Sequence, residues 1–255
     1  MATTTLTRPA EFVSSLDLAP APRTAKALLG APPKRLSVTT DAPSAKLDAG
    51  SIVSFVAGVG EQAQSDVLNS TLLAQLNSDY MYDREKQTED WYKNYVYVLG
   101  KVGWVIQGFE FQKYDTSSQG LTMDKVVVEI LETMMTGNEL AIAASAIKAL
   151  NSLSGDDGRI KLFGHSSSSN SGGSFQISSA TEQNGTVAMK LGAFYMSYKT
   201  SQTDVLWWHY KSANVDIYKS GQGVTLDHDV YGQVRQSIIT KLGDKAKTFV
   251  DDLPI

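Results

Sequence analysis

Five segments of the chain carry apolar residues at spacings of three and four positions, the pattern of helices with one buried face. The pattern predicts helices at 61–82, 83–99, 122–137, 138–153 and 227–243. Asn138 and Asp227 stand where the last two of these helices begin, and both are favourable N-cap residues. The first four helices follow one another in two closely connected pairs, so we expect two helical hairpins and a separate C-terminal helix.

Other segments alternate apolar and polar residues, which is typical of β-strands. The alternation predicts strands at 36–40, 104–115, 159–165, 173–180, 186–199 and 204–219. Asn184-Gly185 lies between two of them and is a dipeptide that favours a tight hairpin turn. The small and apolar segment 48–60 is compatible with either a strand or a helix. The expected fold class is α/β of the α+β type, an antiparallel β-sheet flanked by two α-helical hairpins and a C-terminal helix.

The N-terminal region differs from the rest in composition. Six of the seven prolines lie in the first 43 residues, where Ala, Thr and Ser fill most other positions. Because proline fixes φ and lacks an amide donor, residues 1–34 are predicted to form a disordered, extended arm, and residues 35–255 a single domain. The arm is either a plain linker or a removable pro-segment or delivery arm.

Composition excludes several classes of function. The net charge is -4 with scattered Lys and Arg, which disfavours nucleic acid as a partner. Without cysteine the chain has no disulfide, thiolate nucleophile or thiolate metal site. The first residues lack the charged and apolar regions of a secretory signal, and no apolar run reaches about 18 residues. We therefore expect a soluble protein made in the cytoplasm, then released or delivered to a target cell.

No catalytic site is recognisable, so we expect neither an enzyme, nor a cofactor, nor a metal site. The three histidines, His165, His209 and His228, fall on different predicted elements without metal-ligand spacing. Gly164-His165-Ser166 resembles a nucleophile elbow but leads into a serine-rich loop instead of a helix. Asp227-His228-Asp229 is compatible with helix capping or a weak cation site. An unrecognised enzyme would need a pocket that joins His209 or His228 to carboxylates.

Aromatic residues are densest near Trp207 and Trp208. Neighbouring strand residues point to opposite faces of a sheet, so one of these tryptophans is predicted to join the core while the other meets a helix or the outside. The cluster is compatible with core packing, with membrane contact, or with stacking on a glycan.

The second predicted hairpin reads LTMDKVVVEILETMM and ELAIAASAIKAL, followed by the strands RIKLFGHS, SFQISSA, VAMKLGAFYMSYK and DVLWWHYKSANVDIY. In this order of elements, residues 35–220 resemble the Cyt-type δ-endotoxins, a family of single-domain cytolysins. The resemblance implies a bacterial, insecticidal toxin whose helices leave a central sheet at a lipid surface and form pores. It also implies removal of an N-terminal segment. Virulence factors of the Evf type are a second resemblance, although their acylation at cysteine is impossible here.

The hypothesis of a membrane-acting toxin makes the lightly charged hairpin at 122–153 the segment most readily released. Its lipid partner would meet residues on both helices and the two tryptophans: Val126, Val127, Ile130, Leu131, Met134, Ile142, Ile147, Trp207 and Trp208. The first hairpin contains DREKQTED, interpreted as a solvated charged face that is costly to insert in lipid. Assembly of several copies on the membrane is compatible with this hypothesis. The alternative is a non-enzymatic module that binds a glycan, a lipid or a protein through its aromatic strands.

Overall fold

The computed structural model describes residues 8–20, 40–115, 122–152, 168–169, 172–198, 215–253 and 255. Seven helices occur in these ranges: α1 Pro9–Ser15, α2 Glu61–Met81, α3 Thr88–Lys101, α4 Met123–Leu131, α5 Gly137–Ser152, α6 His228–Leu242 and α7 Lys245–Phe249. Nine strands accompany them: β1 Ser44–Asp48, β2 Ser51–Phe55, β3 Trp104–Val105, β4 Gln112–Tyr114, β5 Ser168–Ser169, β6 Gly172–Gln183, β7 Thr186–Tyr198, β8 Val215–Leu226 and β9 Val250–Leu253.

The described strands form one sheet in the order β3-β8-β7-β6-β2-β1-β9, with β4 beside β8 and β5 beside β6. The long strands β6, β7 and β8 form the predicted antiparallel meander. Between β6 and β7, Asn184 and Gly185 both have positive φ, as the predicted hairpin turn requires. The fold class expected from the sequence is confirmed. The sheet is mixed rather than wholly antiparallel, because β2 runs parallel to β6.

Helices cover both faces of the sheet. On one face, α1, α2, α3 and α6 share a hydrophobic cluster with the side chains of β2, β7 and β8 that point toward them. On the other face, α4 and α5 share a second cluster with side chains of β1, β2, β6, β7, β8 and β9. Successive side chains of a strand point to opposite faces of the sheet, so each long strand contributes to both clusters. In β7, for example, Ala193 belongs to the first cluster and Phe194 to the second. The architecture is a sheet between two helical layers.

Part of the predicted N-terminal arm is helical, which corrects the expectation of an extended chain for residues 8–20. Val13 of α1 is fully buried in the first cluster. The backbone that follows is tied down as well, since Asn77 Nδ2 donates to Asp17 O at 2.8 Å and Lys241 Nζ donates to Ser14 O at 2.9 Å. Burial of an apolar side chain offsets the entropy of ordering this segment. The boundary at residue 34 stays a prediction, because residues 21–39 lie outside the described ranges.

Several predicted strands differ from the observed ones. The predicted strand at 104–115 is two short strands, β3 and β4, which both pair with β8 and are separated by residues 106–111. Segment 48–60, whose sequence was compatible with either a strand or a helix, contains the strand β2, and all five residues of β2 are buried. The predicted strand at 159–165 and most of that at 36–40 lie outside the described residues. The strands β1 and β9, which pair with each other, were not predicted.

Candidate functional site

The layer formed by α4 and α5 presents a continuous apolar surface to the sheet. Val126, Val127, Ile130 and Leu131 of α4 are each fully buried, because their spacing of one, three and four positions places them on one side of the helix. In α5 the predicted residues Ile142 and Ile147 are buried as well. Four further buried residues complete this surface and were not among the predicted membrane-contacting residues: Met135, Ala143, Ala146 and Leu150.

A notch in the sheet receives the end of α4. Gly192 of β7 and Gly221 of β8 lie directly opposite each other in the register and have no side chains to fill the space above them. Met134, half-buried, occupies that space. A Cβ atom at Gly221 would lie 2.6 Å from Met134 Cε, and one at Gly192 would lie 3.2 Å from Met134 Sδ. Two glycines within strands of otherwise alternating pattern are the sequence signal for this close approach.

Adding a methyl group to the notch should loosen the α4–α5 layer. We expect Gly221→Ala to lower the free energy of unfolding by about 1 kcal/mol, because the flexible end of the Met134 side chain must move to avoid the new atom. The double variant Gly221→Ala, Met134→Ala should lose less free energy of unfolding than the sum of the two single losses. The reason is that the second substitution removes the side chain with which the new methyl group collides. Urea unfolding of the four proteins measures this coupling. Strictly additive losses would contradict direct contact between residues 134 and 221.

A polar contact between the α4–α5 layer and the sheet lies at the exposed rim of their interface. Lys219 Nζ of β8 donates to Thr133 Oγ1 at 3.3 Å, and this bond is exposed to solvent. Exposed polar contacts of this kind contribute little to stability. Apolar side chains of the layer are buried against Phe175, Ile177 and Phe194 of the sheet.

The opposite layer is attached differently, through buried hydrogen bonds. Thr71 Oγ1 of α2 donates to Asp48 Oδ2 at 2.6 Å, at the end of β1. Gln75 of the same helix donates to Asp48 O at 2.9 Å and accepts from Gly50 N at 3.1 Å. All of these groups are buried. Separating α2 from the sheet would leave them without partners, at a cost of about 1–3 kcal/mol for each buried group.

A buried arginine extends this network to β6. Arg84 is only 4% exposed and lies 4.1 Å from the centre of the Trp91 ring. It donates to Ser174 Oγ at 3.1 Å and to Gln176 Oε1 at 2.9 Å. The interpretation of DREKQTED as a solvated charged face is therefore wrong for Arg84. The guanidinium enters the core because polar residues of β6 point inward and because Gly50 leaves room: a Cβ there would lie 2.0 Å from Arg84 Nη1.

Burial also changes the acidity of two carboxyl groups in this layer. Removal from water raises the pKa of Asp48 to about 7, and the hydrogen bond from Thr71 lowers it by less than burial raises it. The pKa of Asp79 is raised by the same loss of hydration, partly offset by the nearby positive charge of Arg84 and the hydrogen bond from Trp91. Asp48 therefore exchanges a proton near neutral pH inside the fold.

Of the other candidate residues identified in the sequence, only some lie in the described ranges. Trp207, Trp208, His165 and His209 lie outside the described ranges. His228 begins α6, behind Asp227, whose side chain accepts hydrogen bonds from Asp229 N and Val230 N as the predicted N-cap. Within the described residues no group of three His, Asp or Glu side chains is arranged to hold a metal ion. No described helix combines the length and the apolar character needed to cross a membrane.

No protein-family model and no curated protein matches this chain. Among solved structures, the chain is similar to a δ-endotoxin, with 13% identity over 79% of this chain and 93% of that chain, and a TM-score of 0.43. It is similar to the activated Cyt2Ba monomer of Bacillus thuringiensis subsp. israelensis, with 14% identity, 70% and 97% coverage and a TM-score of 0.41. It is also similar to the Evf virulence factor, with 10% identity, 80% and 84% coverage and a TM-score of 0.36. These are the two kinds of protein that the order of elements in the sequence resembled.

Proposed function

We propose that this chain is a membrane-acting toxin or virulence factor whose α4–α5 hairpin leaves the sheet at a lipid surface. The observation that carries this proposal is the difference between the two helical layers. The α4–α5 layer meets the sheet through apolar side chains, whereas the α2–α3 layer is held by buried hydrogen bonds around Asp48 and Arg84. A lipid surface can replace apolar contacts, but it cannot replace the buried hydrogen bonds.

The free energy of release favours this hairpin over α2. In water, detaching α4 and α5 exposes apolar area at about 25 cal/mol per Å², so the closed form persists. At a bilayer the same apolar face passes into the acyl region, and most of that cost disappears. The α2 helix has 14 buried residues among its 21, several of them polar and bonded to the sheet. Its release would leave polar groups unpaired in lipid.

The length and charge of the hairpin indicate how it would bind. At 1.5 Å per residue the 16 residues of α5 extend about 24 Å, less than the roughly 30 Å of a hydrocarbon core. The charged side chains of the two helices are half-buried or exposed in the folded protein: Asp124, Lys125, Glu129, Glu132, Glu139 and Lys148. A released hairpin would therefore lie in the interface with its apolar face down. In this proposal, perforation of the bilayer requires several copies acting together.

A single fluorescent label tests which layer enters the membrane. The chain has no cysteine, so Ala144→Cys in α5 places one thiol at a half-buried position on the proposed hairpin. Ser237→Cys in α6 is the matched control, half-buried on the opposite layer. With a polarity-sensitive dye on each, we expect vesicles to shift the emission of the Ala144→Cys protein to the blue and to leave the Ser237→Cys protein unchanged. Encapsulated dye should be released in parallel.

The experiment is run with the full chain, which keeps α1 in place, on neutral and on anionic vesicles. Equal spectral shifts for the two labels would show that the whole protein unfolds on the lipid and would contradict selective release. An absence of both dye release and spectral change in every vesicle type would contradict the proposed function.

A further inference from the structure

A second feature of the molecule is a cavity of about 420 Å³ on the α3 side of the sheet, away from the α4–α5 hairpin. Its floor is formed by β7, β8 and the residue before β4, and its wall by the residues that lead into α3. The volume falls within the range of small-molecule sites, about 300–1,000 Å³.

The floor of the cavity is aromatic. Tyr195 and Tyr218 are opposite each other in the register of β7 and β8, and their ring centres are 5.7 Å apart with planes inclined by 32°. Both rings are half-buried, so each keeps a face toward the cavity. Phe111 lies beside them and is fixed by an edge contact to the buried ring of Tyr92, with centres 5.0 Å apart. The three rings together form an aromatic floor, called the tyrosine platform below.

The facing wall is polar and contains both donors and acceptors. Lys86 and Gln87 can donate hydrogen bonds, while Glu85, Glu89 and Asp90 can accept them. Glu89, Asp90 and Gln87 are exposed, so these groups are accessible to a ligand from solvent. Lys93 lies 3.8 Å from Asp90 and 4.0 Å from Glu89, so it partly neutralises two of the three carboxylates. The wall therefore suits a neutral ligand with several hydroxyl groups better than a cation or an anion.

We infer that this cavity binds a pyranose ring of a glycan. The apolar face of the sugar would lie on the tyrosine platform, and its hydroxyl groups would exchange hydrogen bonds with the side chains of residues 86–90. An organic cation would be opposed by Lys86 and by the existing contact of Lys93 with Asp90, and a phosphate would be repelled by the carboxylates. This inference does not depend on release of the α4–α5 hairpin.

Saturation-transfer NMR on the full chain tests the inference with methyl α-mannopyranoside, methyl β-galactopyranoside and N,N′-diacetylchitobiose as probes. We expect saturation transfer to the ring protons of at least one glycoside. Tyr195→Leu, which removes the flat ring and keeps an apolar side chain, should abolish it. Asp90→Ala should weaken it at a small cost to folding, because Asp90 is exposed in the first turn of α3. Tyr80→Ala is the matched control, since Tyr80 is 54% exposed and lies outside the cavity.

Transfer that persists in both Tyr195→Leu and Asp90→Ala would place glycan binding elsewhere and overturn the inference. An absence of saturation transfer to all three glycosides would also overturn the inference. Tetramethylammonium is measured as a probe for cation binding, and saturation transfer to it alone would overturn the inference as well. Dye release from vesicles without glycolipid is measured on the same variants. Failure of sugar binding with intact dye release, or the reverse, separates this inference from the proposed function.

Discussion

A protein whose α4–α5 hairpin is cross-linked to the sheet is expected to release no dye from lipid vesicles. The positions for the link are Thr133 and Lys219, whose side-chain atoms are 3.3 Å apart across the rim of the interface. With both changed to cysteine, a flexible reagent that alkylates two thiols and spans the length of the replaced lysine side chain joins the hairpin to β8, and the chain contains no other cysteine to react. The link stops separation of the two elements while leaving the apolar interface intact, so activity that requires release is lost.

The control places the same link within a single helix. Glu89 and Lys93, 4.0 Å apart on the exposed side of α3, become the second cysteine pair. We expect the reagent to leave dye release by this protein at the level of the unlinked chain. Dye release by the 133–219 linked protein at the unlinked rate would show that the hairpin stays on the sheet during activity, and the mechanism proposed here would be wrong.

Asp48→Asn is expected to remove a pH dependence from the stability of the fold. An ordinary aspartate has a pKa near 3.8, whereas burial raises the pKa of Asp48 to about 7. Between these two values the folded protein holds a proton that the unfolded chain has lost, so the free energy of unfolding falls as the pH rises from about 4 to about 7. Above pH 7 both forms are ionised and the loss is complete. The corresponding free energy is at most about 4 kcal/mol.

Asparagine keeps an oxygen that accepts from Thr71 but has no proton to lose in this range. Urea unfolding at pH 4, 5, 6, 7 and 8 should therefore show Asp48→Asn close to wild type at pH 4, with an advantage over wild type that grows up to about pH 7 and is constant above it. Asp79, whose pKa is also raised, contributes equally to both proteins and cancels in the difference. Parallel stability curves for the two proteins would indicate that Asp48 is solvated or paired with a cation.

The elements that sequence predicts well are those whose signal is local. The N-cap at Asp227, the Asn184-Gly185 turn and the apolar stripe of Val126, Val127 and Ile130 each depend on neighbours within a few residues. Helix spacing and turn chemistry are read directly from such short segments. The buried face of the candidate hairpin was accordingly placed on the correct residues, although Gly192 and Gly221 beneath it were not identified.

The elements that sequence predicts poorly depend on distant partners. Arg84 has the sequence context of a surface residue among charged neighbours, and its burial depends on the distant Ser174 and Gln176 of β6 and on the room left by Gly50. The strand β1 has little alternation of its own and is defined by pairing with β2 and with β9. Likewise, α1 is ordered by the side chains of α2, α3 and α6 rather than by its own seven residues. Tertiary contacts override local propensity in each case.

Contacts between the first and the last described elements constrain the order in which the protein can fold. Strand β1 pairs with β9, and α1 contacts α6, so partners near residue 14 and residue 46 must wait for residues near 241 and 252. During translation the early segments leave the ribosome long before these partners exist. Both apolar clusters include residues near 250, so they are completed only after nearly the whole sequence has emerged, and until then apolar surface that promotes aggregation stays exposed.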